Sequence, residues 1–430
     1  MPTFDPRSTA LHPPHAAHQL HVLATPIDAQ EVRVFPRDVV YTYDNLGEGT
    51  PATLSTAILH HVAVVNTSDR PMTVDGLTIR WTAGDTVLGS VEIPTDVLER
   101  SAEQYAELAQ AGLLKAYAFQ FHTDAYLGGV AFSASTTLAP GSALVVDRTP
   151  LLFSRTPDEL TVTAHLTDSN GTTDSSTEVS TDIAVARYQQ KNGYHFPTHG
   201  RWFVAAAPSL HSHHRWAVLQ EFALDLVRLG AGTRTHRDDG SKLRHYHAYG
   251  APIVASADGV VVSVANDHPE SDANLQQPDE SDAAYIQRSM VAQRQLIARG
   301  LENVMGNHVI LEHPGGEYSH YLHLQPGSVT VEPGQRVRRG QPLGTLGHSG
   351  NSTEPHLHFH VTDSPDLVTG RSLPVEFANL RLWPAGFDGV RHLHSGQIVI
   401  ADEPAVTAPR PLASPGNETL REGSARPSDR

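Results

Sequence analysis

Three histidines, His356, His358 and His360, alternate with apolar residues between Pro355 and Val361. A period of two predicts a half-buried strand whose histidines lie on the face opposite the apolar side chains. Imidazole is the commonest metal-binding side chain, and a neutral histidine also serves as a general base near neutral pH. The spacing therefore favours a metal ligand beside an acid–base group, although a chain with 27 histidines also contains such pairs by chance.

The composition restricts the chemistry that such a site can use. The sequence contains no cysteine, which excludes thiolate metal sites, disulfides and cysteine nucleophiles. Any metal ion must therefore be held by His, Asp or Glu. The formal net charge of −16 argues against a nucleic-acid partner, which requires a basic surface.

Neither a membrane helix nor a secretory signal is visible in the sequence. No stretch approaches the roughly 18 apolar residues of a membrane span. The segment from Met1 to Gln30 lacks the apolar core of a signal peptide. The location stays open: as written the sequence is that of a cytoplasmic protein, and the alternatives are export by another route or a true start that lies upstream.

The elements that must position the histidines belong to a mainly β protein. The length of 430 residues allows two to three domains. We expect an N-terminal Ig-like β-sandwich followed by a compact antiparallel β-sheet domain with a helical insertion. The predicted parts are a flexible arm at 1–28, the sandwich at 29–187, a linker at 188–200, the second domain at 201–400 and a disordered tail at 401–430.

Short strand-like runs separated by turn residues predict the sandwich. A helix is expected to interrupt it from Asp96 to Lys115, with Asp96 as a candidate N-cap. His60 and His61 are interpreted as a structural or exposed pair rather than as ligands.

In the second domain, Pro314-Gly315-Gly316 separates two strand patterns and predicts a hairpin. Its second strand is expected to place Ser319, Tyr321 and His323 on one face. The insertion has a helical pattern from Ala283 to Arg299, and Gly300 follows where a C-terminal cap belongs. Its apolar residues, including Ile286 and Met290, are expected to share one side.

Five segments of this domain resemble the lysostaphin-type (LytM-like) zinc metallopeptidases, which have the duplicated hybrid motif fold. They occur in the order found in that family and are Tyr249–Val262, Gly306–Leu311, Tyr318–Leu324, Pro333–Gly344 and Gly350–Phe359. The resemblance covers roughly residues 220 to 362 and implies a metallopeptidase domain.

The resemblance implies a zinc ion held by a histidine, an aspartate and the second histidine of the His-x-His pair. These positions correspond to His358 and to Asp225, which lies in an apolar run where an unpaired carboxylate would be costly to bury. The first histidine is where this chain departs from the family. Glu221 occupies its usual position, so we predict His214 as a displaced ligand, with His213 as the alternative and Glu221 as a lesser one.

Three protein ligands leave one coordination position open, as in catalytic zinc sites. The resemblance further implies that His356 is the general base and that His323 orients water or stabilises the oxyanion. The expected activity is zinc-dependent hydrolysis of peptide bonds, with peptide or peptidoglycan as the substrate. The helical insertion is expected to wall the substrate groove.

The displaced ligand also leaves a second interpretation open. In that interpretation the chain is a catalytically inactive scaffold that binds or regulates. A peptidoglycan substrate implies the cell envelope or the extracellular space, which conflicts with the missing signal. The sequence does not indicate an oligomeric state.

Overall fold

The computed structural model describes residues 30–44, 54–122, 126–168, 176–383 and 392–402. The predicted arm at 1–28 and all but the first two residues of the predicted tail lie outside the described residues. Within these ranges, none of the helices has both the length and the apolar character needed to cross a membrane.

Two β-sheets form the N-terminal part of the chain, and large apolar residues of both sheets pack into one core between them. The strands are β1 (Gln30–Phe35), β2 (Val39–Tyr41), β3 (Tyr43–Asp44), β4 (Ser55–Asn66), β5 (Met72–Ala83), β6 (Thr86–Pro94), β7 (Ala131–Phe132), β8 (Thr137–Leu138), β9 (Ser142–Phe153), β10 (Glu159–Asp168) and β11 (Ser176–Ala186). One sheet has the order β1-β4-β9-β7 with β3 paired to β4. The other has the order β2-β11-β10-β5-β6 with β8 paired to β5.

The helix expected from Asp96 to Lys115 is divided. The structure has helices α1 (Thr95–Gln110), α2 (Leu113–Ala116) and α3 (Ala118–Phe121). Gly112 ends the first helix because it adopts a left-handed conformation with φ of 71°. The capping prediction is wrong, since Pro94 is the N-cap and Asp96 instead pairs with Arg100 at 3.0 Å.

A large antiparallel sheet forms the second part of the chain. Its elements, with a small two-stranded sheet, are β12 (Gly200–Ala206), β13 (Leu224–Val227), β14 (Pro252–Val254), β15 (Gly259–Ala265), α4 (Asp282–Arg299), α5 (Leu301–Met305), β16 (Asn307–His313), β17 (Glu317–Leu324), β18 (Arg336–Val337), β19 (Pro342–Thr345), β20 (Leu357–Thr362), β21 (Ser372–Leu373), β22 (Leu380–Trp383) and β23 (Ile398–Ala401). The order is β18-β15-β16-β17-β20-β13-β12-β23-β22, with β21 paired to β20 and with β14 and β19 paired separately. The fold-class prediction of a mainly β protein is therefore confirmed.

Strand β20 lies between β17 and β13 in the middle of this sheet. Its apolar residues Leu357, Phe359 and Val361 belong to the core beneath the sheet, as the alternation predicts. The intervening histidines His358 and His360 are also buried, on the other face. A buried face of imidazoles needs polar partners, and the neighbouring strands supply them.

Helix α4 has the predicted C-terminus at Gly300, and the Ser281 hydroxyl caps its start by accepting from the Ala284 backbone N–H. Its apolar side does not enter the core. Ile286 is 57% exposed and Met290 is 51% exposed, although periodicity predicts that they share a face. Periodicity identifies this face but does not reveal whether another element covers it.

Candidate metal centre

Sheet register brings Asp225 and His358 together. The two residues are direct partners in the antiparallel pairing of β13 and β20. The Nδ1–H of His358 donates to Asp225 Oδ1 at 3.0 Å. His356, just before β20, places its Nε2 3.5 Å from the same oxygen. One carboxylate and two imidazoles of the predicted set therefore converge on one side of the sheet.

His214 reaches the same carboxylate from the loop between β12 and β13. This loop contains the 3-10 helix His213–Trp216, where the Ser212 hydroxyl accepts from the His214 backbone N–H. The His214 Nε2–H donates to Asp225 Oδ2 at 2.8 Å. Because β12 and β13 are antiparallel neighbours, their connection folds back over the strand ends and returns His214 to Asp225.

The protonation states of these groups suit metal binding. Burial by itself would raise the pKa of Asp225, but attraction to His214 and His356 and the hydrogen bonds from His214 and His358 hold that pKa well below its usual value. Burial lowers the pKa of His358 to about 4. Near pH 7 the carboxylate is ionised and the His358 imidazole is neutral, as ligation of a metal ion requires.

The imidazole rings of His323 and His356 lie next to each other beside this cluster, with their centroids 4.8 Å apart. The His356 Nδ1–H donates to the Glu354 carbonyl at 2.7 Å, and the His323 Nδ1–H donates to the Ser349 carbonyl at 2.8 Å. In the neutral rings these bonds leave each Nε2 unprotonated and able to take a proton. Burial, with the neighbouring His356, lowers the pKa of His323 well below its usual value.

The backbone at His323 explains why its side chain lies with the other histidines. Tyr321 belongs to the apolar core, so simple alternation would direct residue 323 towards that core as well. His323 instead has a φ of 64°, in the left-handed region that side chains other than glycine rarely adopt. The prediction that Ser319, Tyr321 and His323 share a face is therefore wrong for His323.

Two glycines allow the loop that fixes His323 to approach closely. Gly306 and Gly350 have φ values of 63° and 75°. A Cβ on Gly350 would lie 2.5 Å from the Gly306 backbone nitrogen. This contact needs glycine, and it holds Ser349, whose carbonyl accepts from His323.

The residues present fit a zinc ion. Zinc in catalytic sites is bound by imidazole nitrogen and carboxylate oxygen at about 2.0–2.2 Å, which places neighbouring tetrahedral ligands about 3.3 Å apart. The separations of 2.8 and 3.0 Å between Asp225 and the two histidines differ from that value by a few tenths of an ångström. Two neighbouring donor groups that share no residue exist among the described residues, each with its ligand atoms within 4.8 Å of one another: His323, His356 and His358, and His213, His214 and Asp225. The predicted ligands are divided between them, with His358 in the first group and with His214 and Asp225 in the second.

The two alternatives to His214 have different surroundings. The ring of His213 lies 3.9 Å from that of His214, but His213 is exposed whereas His214 is buried. Glu221 is buried away from the cluster, where it pairs with Arg215 and lies 3.0 Å from the Nε2 of His60. Glu221 therefore has partners other than the candidate ligands.

Comparison with known proteins gives a family for this part of the chain. Residues 290–369 match the model of peptidase family M23. The chain carries an M23 domain. The resemblance found in the sequence is thereby confirmed, and the matched residues include His323, His356 and His358. The match begins after Asp225, so His214 and Asp225 lie outside it.

The chain is also similar to parts of curated proteins. The peptidoglycan DD-endopeptidase ShyA of Vibrio cholerae is 30% identical over 131 residues, which are 30% of this chain and 21% of that protein. The cell division protein DipM of Caulobacter vibrioides is 28% identical over 140 residues, which are 33% of this chain and 17% of that protein. The matched regions span about a fifth of these relatives' lengths.

Among solved structures, the catalytic domain of lysostaphin from Staphylococcus simulans is 18% identical. The match covers 40% of this chain and 88% of the lysostaphin domain, with a TM-score of 0.22. The similarity to the M23 family rests on the sequence matches and not on this likeness.

The M23 domain contains a chain of buried imidazoles that the sequence analysis did not include. The Nε2 of His358 lies 3.1 Å from the Nδ1 of His360. His360 stacks on its register partner His320, with ring centroids 4.3 Å apart. His320 in turn bonds the Thr362 hydroxyl at 2.8 Å. Alternation along β20 was the signal that pointed to His360. Its partner His320 could not be identified from the sequence, because the contact depends on the register between β17 and β20.

A cleft of about 300 Å³ lies between α4 and the loop that precedes His356, and its lining contains none of the candidate site residues. Ser289, Ala292 and Leu296 of α4 line one side, and the loop from Gly350 to Thr353 lines the other. The Tyr285 hydroxyl of α4 donates to the Thr353 carbonyl at 2.6 Å, which joins the two walls. The helical insertion thus borders a groove next to the segment that leads into His356.

We expect His360→Ala to weaken zinc binding by about 10–100-fold, as is usual for groups that orient a metal-binding histidine. A histidine that binds metal through Nδ1 carries its proton on Nε2, and the Nδ1 of His360 is positioned to accept it. The dissociation constant is measured by competition with a chromophoric chelator.

His308→Ala is the matched control for His360→Ala, because His308 is also buried but bonds the Gly306 carbonyl. Equal zinc affinities in the His360→Ala and His308→Ala proteins would contradict a role for His360.

Proposed function

We propose that this protein is a zinc-dependent endopeptidase that hydrolyses peptide bonds in peptidoglycan. The observation that carries the proposal is the convergence of His214 and His358 on the two oxygens of Asp225, beside His323 and His356. The similar protein of Vibrio cholerae is named a peptidoglycan DD-endopeptidase, which supports peptidoglycan as the class of substrate.

In this proposal His214, Asp225 and His358 hold the ion. Bound zinc supplies a Lewis acid that polarises a carbonyl and lowers the pKa of water to about 7. His356, whose Nδ1–H is held by the Glu354 carbonyl, takes the proton from water through Nε2 and later gives it to the leaving amine. His323, whose Nδ1–H is held by the Ser349 carbonyl, accepts a hydrogen bond from the water through its unprotonated Nε2 and so orients it.

The cleft beside α4 accommodates the peptide strand in this proposal. Its lining combines polar and charged side chains, among them Arg288 and Arg299, with the loop from Gly350 to Thr353 that leads towards His356, so it offers hydrogen-bond donors to the polar groups of a peptide. A peptidoglycan substrate places the working protein in the cell envelope or outside the cell.

A non-hydrolytic scaffold is the second candidate function. The glutamate at position 221, where the family resemblance implies a histidine, favours it. Such a scaffold would bind peptidoglycan peptides without cleaving them. The two functions differ in whether the zinc-loaded protein cleaves the peptides that it binds.

The direct test measures zinc by atomic emission and cleavage of purified cross-linked peptidoglycan by chromatography of the released fragments. We expect about one zinc per chain and loss of cleavage with 1,10-phenanthroline, which chelates zinc. The isomer 1,7-phenanthroline, which does not chelate, is the control and should leave cleavage unchanged. Binding without cleavage by the zinc-loaded protein would favour the scaffold, and cleavage by metal-free protein would contradict the proposal.

A further inference from the structure

The segment that carries His214 is held by a buried ion pair. Arg215, the next residue, is fully buried, and its Nη1 donates to Glu221 Oε1. Its guanidinium also lies over the Phe222 ring, with Cζ 4.8 Å from the ring centroid. The ion pair therefore spans the two short 3-10 helices between His213 and Gln220.

The N-terminal sandwich supplies further partners to this ion pair. The Nη2 of Arg215 donates to the Thr56 carbonyl of β4 at 3.1 Å. The His60 Nε2–H, also on β4, donates to Glu221 Oε2 at 3.0 Å. The side chains of His60 and Glu221 are 2% and 3% exposed, so water does not replace either partner.

Buried charges of this kind fix the backbone that bears them. A guanidinium or carboxylate that loses its partner inside a protein carries the full desolvation cost, so each is held where its partners lie. His214 and Arg215 are consecutive residues of one turn of 3-10 helix. A displacement of the Arg215 backbone therefore moves His214 relative to Asp225.

We infer that the β-sandwich, through Thr56 and His60, positions His214, the first metal ligand of the proposed site. This inference rests on the proposed function, since it assigns a role to contacts around a zinc ligand. A ligand on a strand is fixed by the ladder of the sheet, whereas His214 lies in a loop and needs a separate support. In this inference the sandwich supplies that support through its contacts with Arg215 and Glu221.

The experiment uses the full chain with His60→Ala, which removes the contact between the sandwich and Glu221. We expect a zinc dissociation constant at least about tenfold weaker, as for other groups that orient a metal ligand. The Co²⁺-loaded protein should also lose intensity in the visible bands that report tetrahedral coordination. His60→Gln should restore both readouts, because the glutamine amide nitrogen occupies the place of the imidazole Nε2.

His61→Ala is the matched control. His61 is the next residue of β4 and is also buried, but its ring packs against Tyr105 and Tyr126 within the sandwich. This variant should lower the melting temperature while zinc affinity and the cobalt spectrum remain those of the wild type. If His60→Ala does not fold, Glu221→Gln removes the charge with little change in shape and should weaken zinc binding similarly.

Wild-type zinc affinity in the folded His60→Ala or Glu221→Gln protein would overturn the inference. His358→Ala, measured in the same series, separates the two proposals. If His358→Ala loses zinc while the His60 and Glu221 variants retain it, only the role of the sandwich fails. If the His358→Ala protein also retains zinc, both the role of the sandwich and the proposed function fail.

Discussion

His358→Ala is expected to reduce bound zinc from about one per chain to near zero and to lower peptidoglycan hydrolysis by more than about a hundredfold. The loss should exceed the 10–100-fold effect of groups that only orient a metal ligand. His358 is the register partner of Asp225 and donates to it at 3.0 Å, so its removal takes one of three donors from the candidate site. Zinc content and initial rates on cross-linked peptidoglycan measure the effect.

His313→Ala is the appropriate comparison for this first variant. His313 is buried in β16 of the same sheet, but it bonds the Asp258 carbonyl at 2.8 Å and the Ser319 hydroxyl at 2.7 Å. It should retain zinc and hydrolysis even if the melting temperature falls. A His358→Ala protein that still binds one zinc with wild-type affinity would exclude His358 as a ligand.

His356→Ala is expected to lower kcat by about 10²–10⁴-fold, the usual contribution of a general acid–base group, while zinc remains bound. Zinc should remain bound because His356 is not one of the three proposed ligands. Its Nδ1–H is held by the Glu354 carbonyl, and its Nε2 lies 3.5 Å from Asp225 Oδ1. His323→Ala should reduce kcat in the same way. Steady-state rates and zinc content are measured on the same preparations.

The metal content of these two variants distinguishes two arrangements of the site. His323, His356 and His358 also form a group of three donors within 4.8 Å of one another. If the ion were bound by that group, His323→Ala and His356→Ala would both lose zinc. Retained zinc with a reduced kcat supports catalytic roles, whereas retained zinc with an unchanged kcat would contradict them.

Local patterns predicted several elements because their signals depend only on neighbouring residues. The alternation around His358 predicted a strand with an apolar face, and Pro314-Gly315-Gly316 predicted the hairpin of β16 and β17. Gly300 predicted the end of α4. In each case the physical cause, a side-chain period or a glycine conformation, lies within a few residues of the effect.

Predictions failed where the deciding contact came from elsewhere in the fold. Asp96 satisfies the composition rule for a cap but pairs with Arg100. Periodicity placed Ile286 and Met290 on one side of α4, but it did not reveal that both side chains are exposed. The side chain of His323 does not lie on the face expected from alternation, because its backbone adopts a left-handed conformation. Its ring bonds the carbonyl of Ser349, which lies in a loop distant in sequence.

The sequence alone predicted the resemblance to the M23 peptidases, the strand that carries His356 and His358, and the candidate set of metal ligands. Only the tertiary structure decided which residues meet. It paired Asp225 with His358 through the register of two strands, returned His214 to that carboxylate and buried Glu221 against Arg215 and His60. The physical reason is that ligand chemistry is a property of each residue, whereas coordination requires side chains distant in sequence to converge within a few ångströms.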